Sequence, residues 1–142
     1  MPQLAAYLAY DGQCAEAMHH YARLLGAKVE TLLTFDQVPG EMPVPPGAGK
    51  RVMHAHLVHP DFTIMASDAM PGMPFDGIKG AMLAITYEGE QEARRIFDAL
   101  ADGGHITMPW SPTFWAEGFG MVTDRFGTPW GVNGGPKAIP SP

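Results

Sequence analysis

Leu4-Ala5-Ala6-Tyr7-Leu8-Ala9-Tyr10-Asp11-Gly12 lies near the N-terminus, and Ala81-Met82-Leu83-Ala84-Ile85-Thr86-Tyr87-Glu88-Gly89 restates it 77 residues later. Each is a short apolar run closed by an acidic residue and a glycine, the pattern of a strand meeting a turn. After the first, Cys14, Ala17, Met18, Tyr21, Leu24 and Leu25 recur at the spacing of an amphipathic helix, and Gly26 supplies a C-terminal stop. After the second, Ala93, Ile96, Phe97, Leu100 and Ala101 repeat that spacing until Gly103-Gly104. With a one-residue slip, Glu16-Ala17, Tyr21 and Leu24 align with Glu92-Ala93, Phe97 and Leu100. The offset is close to half of the 142 residues, which points to two copies of one unit.

Working outward, more strand-like runs follow each helix. They are 28–35, 51–58 and 62–66 in the first half, and 105–110, 119–123 and 128–132 in the second. His59-Pro60-Asp61 and Asp124-Arg125-Phe126-Gly127 read as the hairpin turns joining the last two strands of each half. Each unit is therefore βαβββ and the fold class α+β. We expect a single domain over 1–142, with module 1 at about 3–67, module 2 at about 80–134 and a proline-rich tail at 135–142. Prolines support this division: none falls between Gln3 and Val38 or between Phe75 and Met108, while they crowd into Pro39–Pro46 and the tail. Lacking a backbone donor, proline collects at element ends.

Composition narrows the function classes. The 17 glycines and 14 prolines are about a fifth of the chain, against a usual share of about 12%. A hydrophobic fraction of 46% nevertheless supplies a core, so the chain is expected to fold. A net charge of −6, with Lys50-Arg51 and Arg94-Arg95 the only adjacent basic pairs, argues against nucleic acid and acidic membrane as partners. No apolar run approaches the ~20 residues of a membrane span, and no signal segment is seen, so a cytoplasmic location is expected. The one cysteine, Cys14, forms no intramolecular disulfide and no thiolate cluster, and its place on the helical stripe predicts a buried, inert thiol.

A duplicated βαβββ unit with Tyr7-Leu8-Ala9-Tyr10-Asp11-Gly12, Met53-His54-Ala55, Met65-Ala66-Ser67-Asp68, Thr113-Phe114-Trp115 and the long run Gly118–Trp130 resembles the vicinal oxygen chelate superfamily. That group includes glyoxalase I, extradiol dioxygenases and the bleomycin and fosfomycin resistance proteins. The likeness is greatest to its PhnB-like branch and covers about residues 3–134. It implies that two modules curl a mixed sheet into a cup with helices outside, that the cup holds the ligand, and that the protein is a homodimer. A demethylubiquinone methyltransferase label accompanies the domain, but the chain has no strand–GxGxxG–helix unit of the Rossmann kind.

In metal-dependent relatives, four His or Glu ligands come from inward positions on four strands. The resemblance puts those positions at about Ala5, at His54 or His56, near Met82, and at Gly131. Ala, Met and Gly are not ligands for a hard or borderline divalent cation. Shifting by one residue to Leu4, Ala6, Ala81, Leu83, Trp130 or Val132 does not restore one. We therefore expect no metal and no other cofactor.

Strand alternation gives the remaining candidates. His54 and His56 share a face, with Ala55 and Leu57 turned to the helices. They read as polar contacts in a metal-free pocket, as structural histidines, or as metal ligands completed by Asp68, Glu117 or a partner-chain residue. Tyr7 and Asn133 point into the cup on the same reasoning, and Trp115 sits in a loop at its mouth. With Met82, these six residues form the candidate ligand pocket. Trp130 is expected in the core, and Asp124-Arg125 in a solvated turn. No catalytic residue is assigned. Function is read as binding of a small organic molecule without a catalytic metal. The alternative is a divalent-metal-dependent lyase, isomerase or dioxygenase using His54 or His56 in a rearranged site, and a third possibility is metal-free acid–base chemistry by Tyr7 or a histidine.

Overall fold

Alternation in β1 (Ala6–Tyr10) buries Leu8 and Tyr10 and turns Tyr7 outward. The stripe on α1 (Cys14–Leu25) buries Cys14, Ala17, Met18, Tyr21 and Leu25, each large side chain contributing about 1.5–3 kcal/mol of burial. Gly26 ends the helix with a left-handed φ of 71°. β2 (Lys28–Thr34), β3 (Val52–His59) and β4 (Phe62–Asp68) complete a sheet of order β1-β4-β3-β2. β1 runs parallel to β4 and the other pairs are antiparallel. The computed structural model describes residues 1–38, 44 and 46–139. Most of the Pro39–Pro46 cluster and the last three residues of the tail lie outside the described residues.

The second half repeats the plan. β5 (Leu83–Tyr87), α2 (Glu90–Ala101), β6 (His105–Ser111), β7 (Ala116–Thr123) and β8 (Pro129–Pro136) form a sheet of order β5-β8-β7-β6, with β5 parallel to β8. The fold is thus α+β with two βαβββ modules, each a four-stranded mixed sheet with its own helix. The chain divides into two compact units, Met1–Gly77 and Ile78–Pro142. Among the described residues no helix is long and apolar enough to cross a membrane.

The strands of the second module outrun their expected limits. β7 starts at Ala116 rather than Phe119, and β8 runs past Val132 to Pro136. Glycine weakens a strand by propensity, which is why Gly118, Gly134 and Gly135 read as loop. Packing of α2 decides otherwise. A Cβ on Gly120 would lie 2.5 Å from the Phe97 ring, and one on Gly134 would lie 2.5 Å from the Ala93 Cβ. The helix rests directly on bare backbone. β6 contains Pro109, and it is an edge strand whose register against β7 shifts between Ile106 and Met108 and again between Met108 and Ser111. An edge strand with an irregular ladder accommodates a residue that cannot donate.

Two carboxylates pin the turns. Asp68 is buried and accepts hydrogen bonds from the amides of Gly12 (2.8 Å), Cys14 (3.0 Å) and Val52 (2.9 Å). It thereby serves the N-terminus of α1, where Gln13 makes no side-chain cap. Asp124 is also buried, correcting the expected solvated turn. Its carboxylate accepts from the amides of Phe126 and Thr128 and from the indole of Trp130, which is core as expected.

Candidate functional site

Each sheet has one face covered by its helix and one face left open, and pleating decides which side chains reach the open face. In module 1 those are Tyr7 on β1, Met65 on β4 and His54 and His56 on β3. The register places Tyr7 opposite Met65, and Met65 opposite His56. The Tyr7 hydroxyl lies 3.1 Å from His54 Nδ1, and the two rings are stacked at 5.8 Å. The rings of His54 and His56 are 6.5 Å apart.

His56 is held more firmly than His54. The Thr63 hydroxyl donates to the Leu57 carbonyl at 3.0 Å and lies 2.6 Å from His56 Nε2. A hydroxyl has one proton. With that proton on Leu57, Thr63 accepts from His56, so Nε2 carries the imidazole proton and Nδ1 of the neutral ring keeps its lone pair. Beyond His56, an open groove of about 520 Å³ is lined by Glu30, His59, Asp61 and Phe62 among others. Glu30 is the extra residue of a β-bulge: the register steps from Val29↔Leu57 to Thr31↔His56.

In module 2 the open face carries Met82, Phe119, Gly131 and Asn133, with Trp115 in the loop before β7. The Trp115 indole donates to Asn133 Oδ1 at 2.9 Å and meets the Phe119 ring edge-on at 5.3 Å. Phe119 stands opposite Asn133 on the neighbouring strand. Phe114 is 72% exposed and packs edge-on against Trp115. The loop is anchored: Thr113 Oγ1 accepts from the amides of Trp115 and Ala116, and the Lys137 amide donates to the Trp115 carbonyl. A Cβ on Gly131 would sit 2.9 Å from Met82 Cε, so the thioether fills the space beside that glycine.

The six candidate residues therefore form two clusters. Tyr7, His54 and His56 meet in module 1, and Met82, Trp115 and Asn133 gather around Phe119 and Gly131 in module 2. Sequence reasoning missed Thr63 and Glu30. Alternation would have put Thr63 beside His56, but the bulge that brings Glu30 to the groove leaves no mark in the composition.

Comparison with known proteins decides the family. The family model described as 3-demethylubiquinone-9 3-methyltransferase matches residues 2–133. Protein YjdN of Escherichia coli K12 is 37% identical over 141 residues, covering 92% of this chain and 93% of its own. The chain belongs to the PhnB-like family. Protein PA1353 of Pseudomonas aeruginosa shares its structure at a TM-score of 0.87 with 43% identity, over 94% of this chain and 98% of that one. The PhnB protein of Bacillus cereus matches at 0.78 with 25% identity, over 94% and 99%. At the level of fold alone, a glyoxylase/bleomycin resistance protein/dioxygenase domain from Frankia (0.60, 16%; 94% and 98% covered) and the fosfomycin resistance protein FosX of Mesorhizobium loti (0.61, 8%; 93% and 90% covered) are also alike. The fold is that of the glyoxalase/bleomycin resistance/dioxygenase superfamily.

The side chains of this PhnB-like protein do not fit the divalent metal of the superfamily's catalysts. Ala5 and Gly131 supply no donor atom, and the space beside Gly131 is filled by Met82. Asp68 spends its carboxylate on three backbone amides. Among the described residues no group of three or more His, Cys, Asp or Glu comes together as a metal cage.

Proposed function

We propose that this PhnB-like protein binds a small, partly apolar organic molecule on the open faces of its sheets, without a catalytic metal. The observation that carries this reading is the pairing of polar and aromatic groups there: Tyr7 with His54, and Trp115 with Asn133 and Phe119. Aromatic surface beside a few fixed polar atoms is the usual make-up of a small-molecule site. Tyr7 is 52% exposed and Met82 46%, so both remain accessible. Binding alone suffices for sequestration and calls for no chemistry. The methyltransferase description is not extended to this chain, because its strand-to-helix junctions carry Asp11-Gly12 and Glu88-Gly89 rather than a glycine-rich phosphate cradle. The proposal includes a homodimer, a cytoplasmic location, and no nucleic-acid or membrane partner.

A thermal-shift screen of metabolites and drugs tests the reading. At least one compound should stabilise the wild type more than a Trp115→Ala/Tyr7→Ala variant, and a screen with no such compound removes the proposal. Elemental analysis of untagged protein, with reconstitution by nickel, zinc, manganese and iron, tests the metal alternative. Stoichiometric metal abolished by His54→Ala would overturn the preference for metal-free binding.

A further inference from the structure

The hydrogen bond between Trp115 and Asn133 fixes which way the Asn133 amide faces. An indole N–H can only donate, so the amide atom it meets at 2.9 Å is the oxygen, and Nδ2 lies at the other end. Among the described residues Nδ2 has no hydrogen-bond partner, and it is not sealed from solvent. Because Nδ2 shares its carbon with Oδ1, these two free N–H donors stand beside the indole. Phe114 and Phe119 meet Trp115 edge-on at 4.9 and 5.3 Å, and Phe114 is exposed. Met82, also exposed, reaches over the bare backbone of Gly131, and a flexible thioether adapts to what lies against it.

This aromatic surface thus carries a fixed pair of donors and no charge at its centre. Glu117 lies two residues before Phe119 on the same face of β7, its carboxylate against Gly135, and the Lys137 ammonium donates to the Thr113 carbonyl at 3.1 Å. An anion would meet that carboxylate with the lysine already engaged, and an ammonium would bring donors to donors. A hydrocarbon would cover the amide without pairing it, which costs free energy.

We propose that the second module recognises an uncharged planar ring bearing a carbonyl, the ring lying on Trp115, Phe114 and Met82 and the carbonyl oxygen accepting from Asn133 Nδ2. The inference deepens the small-molecule reading and rests on it. It gives the anchored loop a role: backbone bonds to Thr113 and Lys137 hold Trp115, and Trp115 holds the amide with its donors outward.

The full chain, labelled with ¹⁵N, is titrated at neutral pH with 1-indanone, with indane, which lacks the acceptor, with benzoate, which is charged, and with cyclohexanone, which is not planar. Indanone should move the Asn133 side-chain amide and the Trp115 indole resonances, and bind more tightly than the other three. Asn133→Asp keeps an acceptor for Trp115 but loses both donors, and should weaken indanone about three- to tenfold while leaving indane nearly unchanged. Equal or tighter binding of any analogue, an unmoved Asn133 amide in the indanone complex, or no loss in the folded variant would each overturn the assignment. The ranking on the wild type decides the matter even where Asn133→Asp does not fold. If no probe moves Asn133 or Trp115 while a screened compound moves Tyr7 or His54, the ring site is wrong and the small-molecule reading stands. If nothing binds anywhere, both fall.

Discussion

At the scale of single residues, Asp124 is, with Asp68, one of two buried carboxylates that each satisfy three donors. It satisfies two amides and an indole N–H from a buried position. Asp124→Ala would orphan all three donors, at about 1–3 kcal/mol each. We expect a loss of about 3 kcal/mol or more in denaturant unfolding, and a loss under 1 kcal/mol would contradict this role. Cys14 is fully buried, and desolvation followed by the nearby Asp68 charge pushes its thiol up to about 12. The native protein should resist alkylation at pH 8 and react only on unfolding. The same shift sets a sign for alkaline stability. Below pH 9 the thiol is protonated in both states and contributes no slope. Between pH 9 and 12 only the unfolded chain loses the proton, so stability falls by up to about 1.4 kcal/mol per pH unit. A Cys14→Ala variant should lose that part of the slope. The position of Cys14 was legible from helical spacing. The burial of Asp124 was not, because a turn sequence does not say what its side chain will cap.

Among elements, the packing of α2 on its sheet separates glycines that look alike in the sequence. At Gly134 a new Cβ meets the Ala93 Cβ at 2.5 Å and the Glu90 Cα at 2.9 Å, neither of which can rotate away. At Gly131 the nearest obstacle is the mobile end of Met82 at 2.9 Å. Gly134→Ala should therefore cost about 1–3 kcal/mol by overpacking, and Gly131→Ala distinctly less, read as the difference in unfolding midpoints. Equal costs would mean that α2 yields as easily as a thioether. The two helices and all eight strands were legible in the apolar periodicity. The extra length of β7 and β8 was hidden, since their glycines read as loop until the helix lying on them is seen.

For the whole molecule, the repeat was the most readable feature. Identical strand order in the two sheets follows from the two matching strand–helix runs, and the candidate residues divide evenly between the modules. The site was half legible: alternation placed Tyr7, His54, His56 and Asn133 on open faces, but nothing in the chain announced the bulge at Glu30. Tyr7, Met82 and Phe114 are large side chains left exposed. We expect light scattering to give twice the mass of the 15.3 kDa chain at micromolar concentration. A monomer there would remove the dimer from the proposal.

The parallel pairing of β1 with β4 carries a consequence for how the chain acquires its shape. Ala6 aligns with Ile64, so the first sheet closes a loop of more than fifty residues, and Leu83 with Trp130 closes one almost as long. Closures of that span slow folding relative to local helix formation. All four strands of the first sheet nevertheless lie within residues 6–68. During synthesis, those strands can leave the ribosome and pair before α2 has emerged from it. The second copy then emerges after the first has paired, which lessens the chance that strands of similar pattern exchange partners.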